Sequence, residues 1–183
     1  MRQLRVARRY AQALIGLADE QGQLERVSED LLMLRRTLRE SHEFVVFLKS
    51  LVVKTEKKQR VLEELFADKV HPSTQGFLRL LAEKGREDVL GQIVEEFFQL
   101  RDVMLGIVNV DVKAAVELTG DQNKALVKKF EGVTKKTVRV SISLDTTLRG
   151  GFIARVGDTV FDGSVRRQLE LLRERFTRGA GMN

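Results

Sequence analysis

The spacing of the apolar side chains changes at Gly106, and this change limits the folds that are open to the chain. Before this glycine, apolar residues recur every three or four positions, which is the period of amphipathic helices. After it, residues 108–114 and 138–144 alternate between apolar and polar side chains, the pattern of half-buried strands. We therefore predict an N-terminal all-α six-helix antiparallel bundle in residues 1–105, followed by a small α+β C-terminal domain in residues 106–183.

The helices predicted in the first half have apolar stripes and recognisable boundaries. In the second helix, apolar residues recur in alternating steps of three and four from Leu24 to Leu38. Gly22 and Gly85 stand where helices are expected to end, because glycine readily adopts positive φ. Pro72 fits the first turn of the fifth helix, where its missing N–H is not needed. The stripe of the first helix is rich in alanine and comprises Leu4, Ala7, Ala11, Leu14 and Ala18.

The second half contains turn and capping signals between its predicted strands and helices. Thr119 and Gln122 have the spacing of a capping box. Gly157-Asp158 is a hairpin-type dipeptide, and Asp162-Gly163-Ser164 supplies short oxygen-bearing side chains just before a helical pattern. The final helix carries an apolar stripe, which we expect to pack inside the domain, formed by Val165, Leu169, Leu172 and Phe176.

Composition limits the partners that the chain could bind. The 183 residues carry a formal net charge of +6, which is compatible with nucleic acid, anionic lipid or an acidic protein surface. The ten phenylalanines fall mainly on apolar stripes, which argues against stacking on bases. The apolar stretch 44–53 is too short to span a bilayer. Four arginines precede the first acidic residue, Asp19, so an organellar transit peptide is an alternative interpretation of the first 18 residues.

The sequence contains no recognisable catalytic, cofactor or metal-binding motif. It has no cysteine, and His42 and His71 lie in predicted turns without ligand-spaced partners. Gly150-Gly151 lacks the Lys-Ser/Thr ending of a phosphate loop. Ser164 is not placed in a nucleophile elbow, and its position suits a helix cap. We therefore expect a protein that is not an enzyme and that takes no cofactor and no metal.

The stretch from Leu148 to Leu172 resembles the C-terminal signature of the delta subunit of F-type ATP synthases. The mitochondrial relative of that subunit is the oligomycin-sensitivity-conferring protein. Residues 8–14 and 77–86 are also similar to family segments, of the forms RxYAxAL and FLxLLxxxxR. The order and spacing of the signature residues make the resemblance specific; we expect them to be structural, and they are Gly150, Gly151, Gly157, Asp158, Asp162, Ser164 and Leu169.

This resemblance implies a non-catalytic peripheral-stalk (stator) subunit of the proton-translocating ATP synthase. Such a subunit links the catalytic head to the b subunits, so that rotation is coupled to ATP synthesis. The implied partners are the alpha (and beta) subunits of the head and the b subunits of the membrane sector, with no nucleic acid. The implied location is the cytoplasmic face of the bacterial cell membrane, with an organellar inner membrane as the alternative, and attachment to the membrane only through partners. The alternative function is a basic helical nucleic-acid- or ribosome-binding protein.

The resemblance also implies two contact surfaces. In the family, the N-terminal domain receives an amphipathic helix from the N-terminus of an alpha subunit, and the C-terminal domain meets the b subunits. The implied groove lies between the first and fifth helices, with Ala11 facing it, and its residues are Ala7, Tyr10, Ala11, Leu14, Phe77, Leu80 and Leu81. The possible b-subunit contacts are on the basic face of the final helix, at Arg166, Arg167 and Arg173.

Overall fold

The fold is that of a computed structural model, which describes residues 2–66 and 68–179, with side chains for residues 3–66 and 68–176. The described chain divides into two compact units, with the division between Asp102 and Val103. The first unit is helical and the second mixes helices with a small sheet, so the predicted fold classes of the two halves are confirmed. Residues 180–183, which we included in the predicted second domain, lie outside the described residues.

The first unit is built from helices joined by short connections. Glycine and proline residues mark three of the helix boundaries. Gly22 and Gly85 adopt positive φ of 65° and 59°, as predicted for residues that end a helix. Pro72 opens its helix without the loss of a hydrogen bond. The elements are α1 (Arg2–Glu20), α2 (Leu24–Glu40), α3 (His42–Lys49), α4 (Thr55–Phe66), α5 (Pro72–Glu83), a short 3-10 helix (Glu87–Val89) and α6 (Leu90–Met104).

The core of the first unit is apolar and continuous. The alanines of the α1 stripe are fully buried in it, together with Leu31 and Leu34 of the α2 stripe. Because alanine has only a methyl group, neighbouring helices can approach α1 closely. The largest fully buried side chains of this core are Phe97, Leu14, Leu31, Leu34, Leu81, Leu90 and Ile93.

The second unit is a four-stranded sheet with one helix between its first two strands and one helix at its end. The strand order is β2-β1-β3-β4, in which β1 and β2 are parallel and the other two pairings are antiparallel. The parallel pair requires a crossover, which α7 supplies. The elements are β1 (Ile107–Ala114), α7 (Gly120–Thr134), β2 (Thr137–Leu144), β3 (Phe152–Val156), β4 (Thr159–Asp162) and α8 (Val165–Gly179).

The local predictions for the second unit are confirmed. Thr119 and Gln122 form the capping box of α7, with both reciprocal hydrogen bonds present. Gly157-Asp158 is the two-residue turn between β3 and β4, and Gly157 has a φ of 58°. Ser164 caps α8, because its hydroxyl oxygen accepts a hydrogen bond from the backbone N–H of Arg167 at 3.2 Å.

The predicted packing of the final helix is wrong. We expected the α8 stripe to lie inside the domain, but Leu169 is 61% exposed and the other three stripe residues are exposed as well. The apolar face of the sheet is occupied by α7 instead, through Leu126 and Phe130. Periodicity identifies which face of a helix is apolar, but it does not identify what covers that face. Leu169 is therefore a surface residue of the described chain, not a structural one.

Candidate docking surfaces

The first unit has a groove along α1 and α5. It has a volume of about 800 Å³ and an apolar floor. The two helices run in opposite directions along it, since Gln21 at the end of α1 contacts Ser73 at the start of α5. The lining residues are Val6, Arg9, Tyr10, Ala13, Leu14 and Leu17 of α1, Gln21 after it, Pro72, Ser73, Gly76, Phe77 and Leu80 of α5, and Arg86.

Small side chains create the groove, and aromatic side chains form its floor. A Cβ atom added at Gly76 would have no heavy atom within 4 Å, so this position opens onto free space. Ala13 faces the same space from α1. Tyr10 and Phe77 meet across the groove in an edge-to-face contact, with ring centroids 6.3 Å apart. An apolar floor of this kind, exposed along two helices, is suited to a third helix.

A buried carboxylate fixes the start of α5. Asp30 on α2 accepts hydrogen bonds from the backbone N–H of His71 and from the hydroxyl of Thr74, both at 2.7 Å. The hydroxyl of Ser73 donates to the side-chain carbonyl of Gln21, also at 2.7 Å. The last of these contacts joins the end of α1 to the start of α5, the two walls of the groove. No pattern in the sequence indicates this role of Asp30, because a charged residue on a helix is usually solvated.

The structure brings four of the seven implied groove residues together and places three elsewhere. Tyr10, Leu14, Phe77 and Leu80 line the groove. Ala7 and Ala11 are 0% exposed and Leu81 is 1% exposed, and all three belong to the core. The expectation that Ala11 faces the groove is therefore corrected. The physical reason is that α1 is buried along one side and borders the groove with an adjacent side, and both sides are apolar in sequence.

Four of the seven signature residues form a compact junction between the hairpin and α8: Gly150, Gly151, Asp162 and Ser164. Gly151 has a φ of 80°, and a Cβ atom added there would lie 2.3 Å from the backbone oxygen of Gly163. The backbone N–H of Val165 donates to the carbonyl of Gly150 at 3.0 Å. The Asp162 carboxylate accepts a hydrogen bond from the backbone N–H of Ser164 at 2.9 Å. These contacts therefore set the position at which α8 begins after the hairpin.

Hydrogen bonding to Ser164 lowers the pKa of the Asp162 carboxyl below its usual value of 3.8, and the nearby Arg167 and Arg166 act in the same direction. Asp145, in the turn that precedes β3, has a pKa lowered in the same way by its hydrogen bonds from Thr147. Both carboxylates are structural caps of turns, and neither lies beside a candidate nucleophile or base.

The α8 surface combines an apolar stripe with arginines. Arg166 and Arg167 both pair with Glu170, at 3.2 and 3.6 Å. Arg173, the third implied contact, is exposed on the same helix. Since Glu170 offsets part of this basic charge, the exposed apolar stripe is the more prominent feature of α8. Our sequence interpretation treated that stripe as core and so missed it as a surface.

The described residues contain neither a metal-ligand cluster nor a membrane-spanning helix. Within residues 2–66 and 68–179, no group of three or more His, Cys, Asp or Glu side chains could hold a metal ion. In the same part of the chain, no helix combines the length and the hydropathy that a membrane span requires.

Comparisons with known proteins agree over almost the whole chain. The family model described as "ATP synthase delta (OSCP) subunit" matches residues 6–176. The chain is 42% identical over 168 residues to the "ATP synthase subunit delta" of Chlorobium phaeobacteroides, covering 92% of this chain and 93% of that protein. It is 44% identical over 169 residues to that of Chlorobium phaeovibrioides, with the same coverage of 92% and 93%.

A solved structure shares the fold. A chain in the cryo-EM structure of the Toxoplasma gondii mitochondrial ATP synthase hexamer superposes with a TM-score of 0.71 at 26% sequence identity. The match covers 93% of this chain and 97% of the other. The similarity therefore extends over both units, each with its own core.

Proposed function

Because the chain belongs to the ATP synthase delta (OSCP) subunit family, and is thus a non-catalytic peripheral-stalk subunit of ATP synthase, we propose that it joins the catalytic head to the b subunits through two separate surfaces. The complex to which it belongs couples proton transport to ATP synthesis. The alternative of a nucleic-acid- or ribosome-binding protein is not supported by these relatives.

The first proposed surface is the α1/α5 groove, which receives the N-terminal helix of an alpha subunit. The supporting observation is the open, apolar floor between Tyr10 and Leu80. From Val6 to Gln21 the groove follows α1 for about 22 Å, at about 1.5 Å per residue, which is the length of about four helical turns. A helix with one apolar face would cover this floor and leave its polar face in water.

The second proposed surface is the apolar stripe of α8, which packs against the helices of the b subunits. Leu169 and Phe176 are 61% and 71% exposed, although they have the spacing of a helix-packing seam. At 3.6 residues per turn, Arg166 and Arg173 lie beside this stripe and would be at the rim of the contact, whereas Arg167 lies on the opposite face of α8. Rim charges mainly influence the rate and specificity of association.

Both proposed contacts rely on apolar burial for a mechanical reason. A stator must hold the head against the torque of the rotor, so its contacts need high affinity. A nanomolar contact corresponds to about −12 kcal/mol. Exposed ion pairs contribute about 0–1 kcal/mol each, so a few of them would not reach that value.

The organisation that goes with this proposal has two functional domains. Residues 1–105 act as a six-helix antiparallel bundle that binds the alpha (and beta) subunits, and residues 106–183 act as the domain that binds b. We place the protein at the cytoplasmic face of the bacterial cell membrane, attached peripherally through these partners. The bacterial relatives support this location over an organellar one.

The proposal is tested by purification of the tagged protein from its own membranes in mild detergent. The tagged chain is expected to recover alpha, beta and b subunits. Gly76→Leu fills the groove and should lose alpha and beta while it keeps b. Leu169→Asp should show the opposite pattern. Gly91→Leu is the matched control, since Gly91 is also helical, opens onto free space and does not line the groove. Retention of every subunit by both variants would show that the two surfaces are assigned wrongly.

A further inference from the structure

The α1/α5 groove is asymmetric in charge along its length. Gln21 and Ser73 meet at one end, and Tyr10 and Phe77 meet farther along. Arg9 precedes Tyr10 on α1 and Arg86 follows α5, so both arginines border the groove at its other end. The groove therefore has a basic end and an uncharged polar end. The basic end is defined by Arg9 and Arg86.

The two arginines are available to a partner. Both side chains are exposed, and among the side chains of residues 3–66 and 68–176 neither forms an ion pair. The nearby carboxylate of Glu83 is already paired with Arg79 at 3.2 Å. Elsewhere on the surface of this unit, exposed arginines such as Arg36 pair with a neighbouring glutamate. Arg5, Arg8 and Arg60 are exposed and likewise form no ion pair among these side chains, so Arg9 and Arg86 are distinguished by lining the groove.

The charges of α1 strengthen this asymmetry. The first turn of α1 has no acidic residue, although carboxylates are favoured there by the helix dipole. The first acidic residues, Asp19 and Glu20, come at the opposite end of the helix. They lie about 15 Å from Arg9, which is beyond the Debye length of about 8 Å at physiological salt. Asp19 and Glu20 therefore do not offset the charge of Arg9.

We infer that the groove binds an amphipathic helix in a single direction, with an acidic side chain from one of its terminal turns placed between Arg9 and Arg86. This inference rests on the proposed function of the groove and specifies its partner further. The apolar floor supplies affinity, but apolar burial is non-directional and so does not by itself select a direction. The guanidinium groups of Arg9 and Arg86 select the direction of the bound helix, because a helix bound in reverse would leave both groups without an acidic partner.

The test is a double-mutant cycle by calorimetry with the full-length chain. The probe is a synthetic peptide carrying the N-terminal helix of the alpha subunit from the same organism, and a copy whose terminal-turn carboxylates are replaced by amides. We expect the amide copy to bind the unmodified chain several-fold more weakly. We expect Arg9→Gln and Arg86→Gln each to weaken binding of the carboxylate peptide by about two- to five-fold, as exposed ion pairs do. The double variant should bind both peptides equally.

Two controls separate the possible outcomes. Arg60→Gln removes an exposed arginine that does not line the groove, and it should leave the affinity and its salt dependence unchanged. Gly76→Leu should abolish binding of either peptide. If Gly76→Leu abolishes binding but the amide and carboxylate peptides bind equally, the inference is wrong and the groove assignment stands. If Gly76→Leu binds normally, or if no peptide binds the unmodified chain, both the groove assignment and the inference are wrong.

Discussion

Gly151 and Gly157 show how one residue type serves two different needs. Both have positive φ, but a Cβ atom at Gly157 would meet nothing within 4 Å, whereas one at Gly151 would meet the backbone of Gly163 and Ser164. We expect Gly157→Ala to cost about 1 kcal/mol, the conformational cost alone. Gly151→Ala should cost about 3 kcal/mol or more, because the hairpin–α8 junction must also shift. Urea denaturation of the two variants measures the difference, and equal midpoints would refute the close approach.

Asp162 makes the second unit sensitive to acid. Its pKa is lowered in the folded state by the hydrogen bond from Ser164, so its contribution to stability is present above the ordinary value of 3.8. That contribution is lost as the pH falls through the lowered folded pKa. In Asp162→Asn the side-chain oxygen still accepts a hydrogen bond, but it does not titrate. We expect the melting temperature of this variant to fall less than that of the wild type between about pH 5 and pH 2. Parallel pH profiles would contradict this prediction.

At the scale of elements, α7 and α8 have similar apolar stripes and different roles. Leu126 of α7 is 7% exposed and Leu169 of α8 is 61% exposed. We expect Leu126→Asp to cost at least about 3 kcal/mol, because it buries a carboxylate without a partner. Leu169→Asp should leave the melting temperature within a few degrees of the wild type. Differential scanning calorimetry of the two variants decides this, and a large loss of stability in Leu169→Asp would show that α8 packs on the fold.

At the scale of the molecule, each unit has its own core and a distinct source of stability. A buried ion pair is specific to the first unit: Lys58 Nζ lies 2.8 Å from Glu87 Oε1, with both side chains less than 10% exposed. Removing one partner of such a pair costs about 3–5 kcal/mol, since it leaves a buried charge. Lys58→Met should therefore lower the melting transition of the first unit and leave that of the second unit in place.

The double variant Lys58→Met/Glu87→Met is the control for this prediction. Since it removes both charges, it should recover most of the lost stability. If calorimetry shows only one unfolding transition for the whole protein, and Lys58→Met lowers its temperature, then the two units unfold together and the prediction is wrong.

Local structure was accessible to sequence reasoning because its causes are local. The caps at Thr119 and Ser164 and the turn at Gly157 depend on residues a few positions apart, and each was predicted where it occurs. A groove does lie along α1 and α5, but Ala7, Ala11 and Leu81 do not line it. The hydrogen bond between Asp30 and His71 joins residues 41 positions apart, so no local sequence pattern predicts it.

The sequence by itself determined the class of each half, the ends of several helices and the family, because hydrophobic period and short-range turn chemistry are written in neighbouring residues. Only the tertiary structure decided which apolar faces are covered. Ala11 is enclosed by other helices, whereas Leu169 stays exposed because α7 already fills the apolar face of the sheet. Periodicity marks a face that avoids water, and the arrangement of all the elements decides whether that face meets its own chain or a partner.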